Sequence, residues 1–203
     1  MITQGVIWAA LKDQANNNVW EFVGSGAPVN GSTGANIGGP GSTYTDVATG
    51  NIYVNLGTKA SPAWSVTQGS LEVTVSSAEL LALRATPKTL VPAPGAGKLI
   101  EFVSATLLAD NGTAYVVGTN DLAIRYAGAA GDIISQTVDT AGFLDQVVDI
   151  MDLVLPIATD SKTPKADCEN QPLVLHNTGA GELTTGTGVL RVKISYRIWT
   201  TGW

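Results

Sequence analysis

The sequence predicts an all-β fold: a jelly-roll-like β-sandwich over residues 69–203, preceded by a small N-terminal β motif and an extended arm. Three observations lead there. Short apolar runs rich in Val, Ile and Leu, about eight of them beyond residue 69, are separated by Gly- and Pro-rich turns, the pattern of a sandwich or barrel. Helical signals are confined to two short turns. The last run, Val189–Trp199, alternates strictly, with Val192, Ile194, Tyr196 and Ile198 on one face and Arg191, Lys193, Ser195 and Arg197 on the other. Such alternation belongs to a strand with one face buried and the other solvated or paired. The strand count suits two four-stranded sheets, with a barrel as the alternative.

Residues 1–23 read as an anchoring arm. Two apolar runs, Val6–Leu11 and Val19–Val23, flank the polar tract Gln14–Asn18, and each carries a tryptophan, Trp8 or Trp20. Their β-branched and aromatic company favours strands, with a short helix at Ile7–Asp13 as the alternative. Residues 24–42, GSGAPVNGSTGANIGGPGS, hold almost nothing to bury and read as a flexible connector or an ordered arm lying on a neighbour. In residues 43–68, a small β motif, Thr49-Gly50-Asn51 marks a turn between two short extended pieces, and Gly57 with Pro62 ends the second. Tyr44, Ile52, Val54 and Trp64 anchor this motif. So few apolar side chains do not make a core, so it is expected to pack against the main domain or against copies of itself.

In the sandwich, Val73–Val75 reads as a short strand, and Ser76-Ser77-Ala78-Glu79 as a capping box opening a helical turn, Ala78–Leu83, which Pro87 stops. Strands follow at Lys88–Val91 and Lys98–Ala109, joined by the turn Pro94-Gly95-Ala96-Gly97, then at Ala114–Val117, Leu122–Tyr126 and Asp132–Val138. Thr140 is placed to cap a second short helix, Ala141–Val147. Val148–Ile157 is a nearly continuous apolar strand, and Pro172–Asn177 and Val189–Trp199 finish the set.

Charge narrows the function. The 203 residues include 11 Lys and Arg against 17 Asp and Glu, a net charge of −6. That sign is opposite to the basic surface a phosphate backbone requires, so no nucleic-acid partner is expected. Charged residues make up only 14%, which argues against charge-driven disorder. The longest apolar stretches, Leu99–Ala109 and Ile150–Ala158, are interrupted by Glu101 and Asp152 and fall short of the ~20 residues that cross a bilayer, so no membrane partner is expected. The start, MITQGVIWAALKD, shows no basic region and no cleavage site of a signal peptide. Cys168 is alone, which excludes a disulfide within the chain, and Asn30-Gly31-Ser32 and Asn111-Gly112-Thr113 read as turns rather than glycan sites.

No catalytic constellation is complete. His176 is the only histidine, and no Gly-x-Ser-x-Gly elbow accompanies it; local hydrogen bonding is its ordinary role. Cys168 reads as a partly buried, inert thiol. One His and one Cys make a zinc site improbable, no phosphate loop is complete, and the aspartates from Asp121 to Asp152 form no twelve-residue Ca²⁺ loop. They read as a solvated rim. No enzyme, cofactor or metal is therefore expected. The tryptophans carry more weight, because a large apolar face with a polar handle suits interfaces. Trp64 and Trp199 fit ordinary core filling, whereas Trp8, Trp20 and Trp203 sit in terminal arms that stay mobile unless docked. Trp8, Trp20 and Trp203 of the arms, with Tyr44 and Trp64 of the motif that is expected to pack against the main domain or against copies of itself, are the candidate assembly-interface residues, core filling remaining the alternative for Trp64.

The segment GGPGSTYTDVATGNIYVNLGTKASPAW resembles a short β motif of phage virion proteins, including those with collagen-like or fibre regions. The stretch VSSAELLALRATPKTLVPAPGAGKLIEFVSATLL is similar to the opening of a β domain in small structural proteins of tailed phages. IRYAG, TAGFLDQ, LVLHNTGAGELTTG and LRVKISYRI continue the resemblance. It implies a capsid decoration or cement protein, or a head fibre: a homotrimer made in the host cytoplasm that binds the major capsid protein on the outer surface of the virion and stabilises the shell. It brings no catalytic residues. Trimeric attachment multiplies modest contacts through effective concentration. The competing class is a fibre or tail adhesion module that recognises a host-surface glycan through its loops and its Trp or Asp side chains.

Overall fold

The computed structural model describes residues 7–10, 19–158 and 162–202. The fold is all-β, built of mainly antiparallel sheets and consistent with a β-sandwich. The chain divides into two compact units, residues 1–70 and 71–203.

The first unit contains β1 (Ile7–Ala10), β2 (Trp20–Gly24), β3 (Thr43–Asp46), β4 (Ile52–Asn55) and the start of β5 (Trp64–Val75), hydrogen-bonded in that order. The run around Trp8 is thus a strand, not the alternative helix, and Trp8 lies opposite Phe22 in the antiparallel β1–β2 register. β2 and β3 are parallel, with Phe22 opposite Tyr44. Parallel neighbours cannot be joined by a tight hairpin, so the chain between them must cross over. Residues 25–42 are that crossover. The divisions expected at 23/24 and 42/43 therefore do not separate structural units: arm, connector and motif share one cluster of Phe22, Tyr44 and Trp64, with Trp20, Ile37 and Tyr53 packed against it. The 43–68 motif obtains its missing core from β2 and from the crossover.

In the second unit β5 neighbours β12 (Val189–Thr200), which pairs with β7 (Lys98–Asp110), which pairs with β10 (Ile150–Val154). The other sheet has the order β6 (Lys88–Val91), β11 (Leu173–Asn177), β8 (Asp121–Tyr126), β9 (Val138–Asp139). β12 buries Leu190, Val192, Ile194 and Tyr196 and exposes Arg191, Lys193 and Arg197, as the alternation predicts. On β7 the buried residues change phase, from Ile100 and Phe102 to Ala105, Leu107 and Ala109. The β12 register accounts for it: Ser195 lies opposite Ser104 and Tyr196 opposite Phe102, so Val103 is an extra residue in a bulge. An inserted residue is what exchanges the two faces of a strand whose period is two.

The capping box forms. Ser76 caps α1 (Ser77–Leu81), its hydroxyl accepting the Glu79 N–H while the Glu79 carboxylate accepts the Ser76 N–H. The second expected helix, Ala141–Val147, does not form. Gly142 has a φ of +79°, outside the helical region, and the Thr140 hydroxyl donates to the Asn120 carbonyl at 2.5 Å instead of capping. A short helix appears elsewhere, α2 (Lys165–Cys168). The expected strands Ala114–Val117 and Asp132–Val138 reduce to isolated bridges, Val116 to Thr184, Ile133 to Arg125 and Ser135 to Pro156, plus β9. Trp199 is 48% exposed on β12 rather than core. A strand end gave no sequence signal for which face it would offer.

Candidate assembly surface

The expected interface aromatics divide sharply. Tyr44 and Trp64 are 5% and 8% exposed and form the core of their own unit. The Trp64 ring meets Phe22 edge-on, with centroids 5.7 Å apart and planes at 87°, and lies 6.0 Å from Tyr44. Trp20 is partly buried against the same cluster. Trp203 lies outside the described residues, and Trp8 is placed only by the strand it occupies. Trp20, Tyr44 and Trp64 are therefore brought together, but as an interior.

The crossover closes this interior through its glycines and backbone. A Cβ on Gly34 or Gly38 would lie 2.8 or 2.6 Å from the Phe22 ring, so both positions admit the ring only without a side chain. The Trp64 indole donates to the Thr33 carbonyl at 3.0 Å, and the Asn30 side-chain oxygen accepts the Trp64 N–H at 2.6 Å. Asn55, fully buried, donates to the Gly38 and Gly39 carbonyls and accepts the N–H groups of Gly57 and Ala63. Buried Asp46 accepts from the Gly26 and Ala48 N–H groups and from the Thr49 hydroxyl. Burial alone would raise its pKa, but these hydrogen bonds outweigh it and hold the carboxyl below its ordinary value.

The residues with catalytic potential are occupied structurally. His176 is buried between strands: the Arg125 guanidinium donates to its Nδ1 at 3.0 Å, so the proton sits on Nε2, which faces the Arg84 carbonyl at 3.2 Å. Its partners lie far away in sequence, not in the local turn expected. Burial and then the Arg125 charge push its pKa down. The Cys168 thiol is buried, donates to the Lys165 carbonyl, and is pushed up in pKa by burial. A groove of about 550 Å³ beside α1 is lined by Ala78, Ala82, Thr86 and Pro87 around the Glu79–Lys88 ion pair. The lysine contact and the Ser76 N–H hold the Glu79 carboxyl down at about 2. Among the described residues, no three His, Cys, Asp or Glu side chains gather as metal ligands.

The surface that the sequence reading missed lies on β10. Met151 and Leu153 are 67% and 57% exposed, and Val147, Val148 and Leu155 are also largely exposed. Met151 is opposite Leu108 of β7, itself exposed, so the strip continues onto the neighbouring strand. Among the described strands β10 ends its sheet order. The sequence signal was a nearly continuous apolar run, interrupted by Asp149 and Asp152, which by itself does not say which face is covered. Here Val154 is buried while the other face is open. No membrane-spanning helix is present among the described residues.

Comparison with protein-family models, curated proteins and solved structures finds nothing that matches this chain.

Proposed function

We propose that this chain is a non-enzymatic structural protein of a tailed-phage virion, made in the host cytoplasm and bound to the outer surface of the capsid as a trimeric decoration or cement protein or head fibre. The observation that carries this reading is the open aliphatic strip on β10 of a sandwich whose His176 and Cys168 are spent on internal hydrogen bonds. A surface of that kind serves docking rather than turnover. The strand orders β5-β12-β7-β10 and β6-β11-β8-β9 add support. Early and late strands interleave in both sheets, which supports the jelly-roll reading, an architecture used by capsid and lectin domains. The sequence resemblance to tailed-phage structural proteins points the same way, with the major capsid protein as partner.

The test is copy number in purified particles, read by gel densitometry against the major capsid protein. Hundreds of copies per particle support a shell component, and a handful sinks it in favour of a tail tip. The second reading, an adhesion module for a host-surface glycan, draws on one observation. Trp199 is half exposed, its indole donating to Glu101 at 2.7 Å, with Arg197 on the same carboxylate. An open aromatic face beside a charged pair is the equipment of a sugar platform. Glycan-array binding abolished by Trp199→Ala would favour it.

A further inference from the structure

We propose that His176 and Arg125 form an acid-sensitive latch: protonation of the imidazole drives the Arg125 guanidinium off it and frees the turn at residues 127–131, while the rest of the sandwich stays folded. The latch does not depend on the role proposed above for the chain. Strand register places its two halves. In the β8–β11 pairing His176 lies opposite Ala123 and Arg125 opposite Val174, so histidine and arginine share one face of the sheet, while Ile124 and Leu175 belong to the other. His176 is nevertheless only 6% exposed. Both of its ring nitrogens are engaged. Nδ1 accepts from Arg125 Nη1 at 3.0 Å, and Nε2 donates to the Arg84 carbonyl at 3.2 Å. That set fits a neutral ring alone. A second proton goes onto Nδ1, where it sets N–H against N–H and a cation against a guanidinium that keeps its own charge. Arg125 then has to leave.

What Arg125 lets go is the turn that follows its own strand. Its Nε donates to the Gly131 carbonyl at 2.8 Å, and its Nη2 donates to the same oxygen. Within the turn the Gly131 N–H reaches the Gly128 carbonyl, and Ala127 has a φ of +61°, a left-handed conformation uncommon for a residue with a side chain. Arg125 therefore clamps a turn whose backbone does not favour its own shape. Charges on each segment around the ring set the threshold. Arg125 of β8 and Arg84 after α1 oppose protonation of His176. Glu182, whose carboxylate accepts the Arg84 and Ala85 N–H groups, favours it, and Asp132 favours the charged form of Arg125. Burial and the Arg125 charge prevail, so the closed latch protonates below the ordinary 6.5. An open turn restores the ordinary value. The opening constant therefore rises by up to about tenfold for each pH unit below 6.5 and levels off once the closed latch itself titrates.

The experiment is hydrogen exchange on the full chain between pH 7.5 and 5, each rate divided by the intrinsic rate at that pH. The chain's only histidine is followed alongside by NMR of its imidazole protons. The expected result is a histidine midpoint below 6.5 and opening at the Tyr126, Gly128 and Gly131 amides that climbs toward tenfold per pH unit, while the amides of β7 and β12 hold their values. His176→Gln, neutral at every pH, is expected to abolish the climb. A histidine that titrates at 6.5 or above, or turn amides whose opening ignores pH, overturns the latch. A climb shared equally by β7 and β12 overturns it too, because the whole sandwich is then unfolding in acid. So does a climb that persists in folded His176→Gln. If that variant does not fold, wild type decides alone: turn opening must level off at the pH where the histidine titrates, and a mismatch refutes the proposal.

Discussion

The two units solve the same problem with different means. The second unit stacks aliphatic rows, with Leu107, Leu122, Ile124, Leu173, Leu175, Val192 and Ile194 nearly or fully buried on paired strands. Among the described residues the first buries the aromatics Phe22, Tyr44 and Trp64 and closes them with polar bonds and bare backbone: Asn55 and Asp46 bind loop amides and carbonyls, and Gly34 and Gly38 let the Phe22 ring approach. A core spread over many aliphatic contacts loses a fraction when one side chain is cut. A core concentrated in three rings and one amide hub loses most of its contacts at once. Composition alone therefore underestimates what a Gly- and Asn-rich stretch can hold.

The sharpest way to break that contrast is to truncate one side chain in each unit. Trp64→Ala removes about 3–5 kcal/mol and Leu107→Ala about 2–5 kcal/mol. The losses are similar but the outcomes should differ. Trp64→Ala is expected to open the 24–42 crossover to protease and to strip hydrogen-exchange protection from residues 19–70, because the ring and its bond to Thr33 go together. Leu107→Ala should leave the sandwich folded at room temperature with a lowered melting point. A Trp64→Ala protein that still resists cleavage in 24–42 would show that the crossover does not depend on this cluster.

Asn55→Ala tests the polar half of the same argument. It leaves the Gly57 and Ala63 amides and the Gly38 carbonyl without their partner, while the Gly39 carbonyl keeps the Ser42 N–H, a loss of about 2–3 kcal/mol in urea denaturation. Asn55→Asp keeps the acceptor but not the donors, and should recover only part. Equal stability of wild type and Asn55→Ala would remove the hub from the account.

The smallest expected effect concerns pH and belongs to the sandwich. His176 has a folded-state pKa below its ordinary 6.5. The unfolded chain therefore binds the proton more readily, and stability is complete above pH 6.5 and declines as pH falls toward the folded value. Thermal melts between pH 7.5 and 5 should show that decline in wild type. His176→Gln, less stable at neutral pH, should show a flatter curve over the same range. An equal slope in both proteins would assign the dependence to other groups.

What could be read from the sequence was local or periodic. The Ser76–Glu79 capping box is decided by four consecutive residues, and the β12 alternation by eleven, and both appear where they were expected. Lys88–Val91 and the strand beginning at Lys98 were legible for the same reason: a turn and an apolar run suffice. The chemistry of the candidate surface was less legible. Tyr44 and Trp64, candidate interface residues by sequence, are interior, while the open face belongs to the nearly continuous apolar run at 148–157, which was not among those candidates. Side-chain type tells how much a residue gains from being covered, not what covers it.

By itself, then, the sequence determined the all-β class, the placement of β7 and β12 and the helix cap, because each follows from the two-residue period of a strand or from hydrogen bonds within one turn; β5, expected only as a short strand at Val73–Val75, runs from Trp64 to Val75. Tertiary structure alone decided the rest. The parallel β2–β3 pairing converted an apparent spacer into a crossover folded onto Phe22. The Val103 bulge exchanged the faces of β7 midway. The layering of the sheets left the side of β10 that carries Met151 and Leu153 uncovered. Each depends on which distant strand becomes the neighbour, and pairing between distant segments is set by the summed burial of the whole core rather than by any local run of residues.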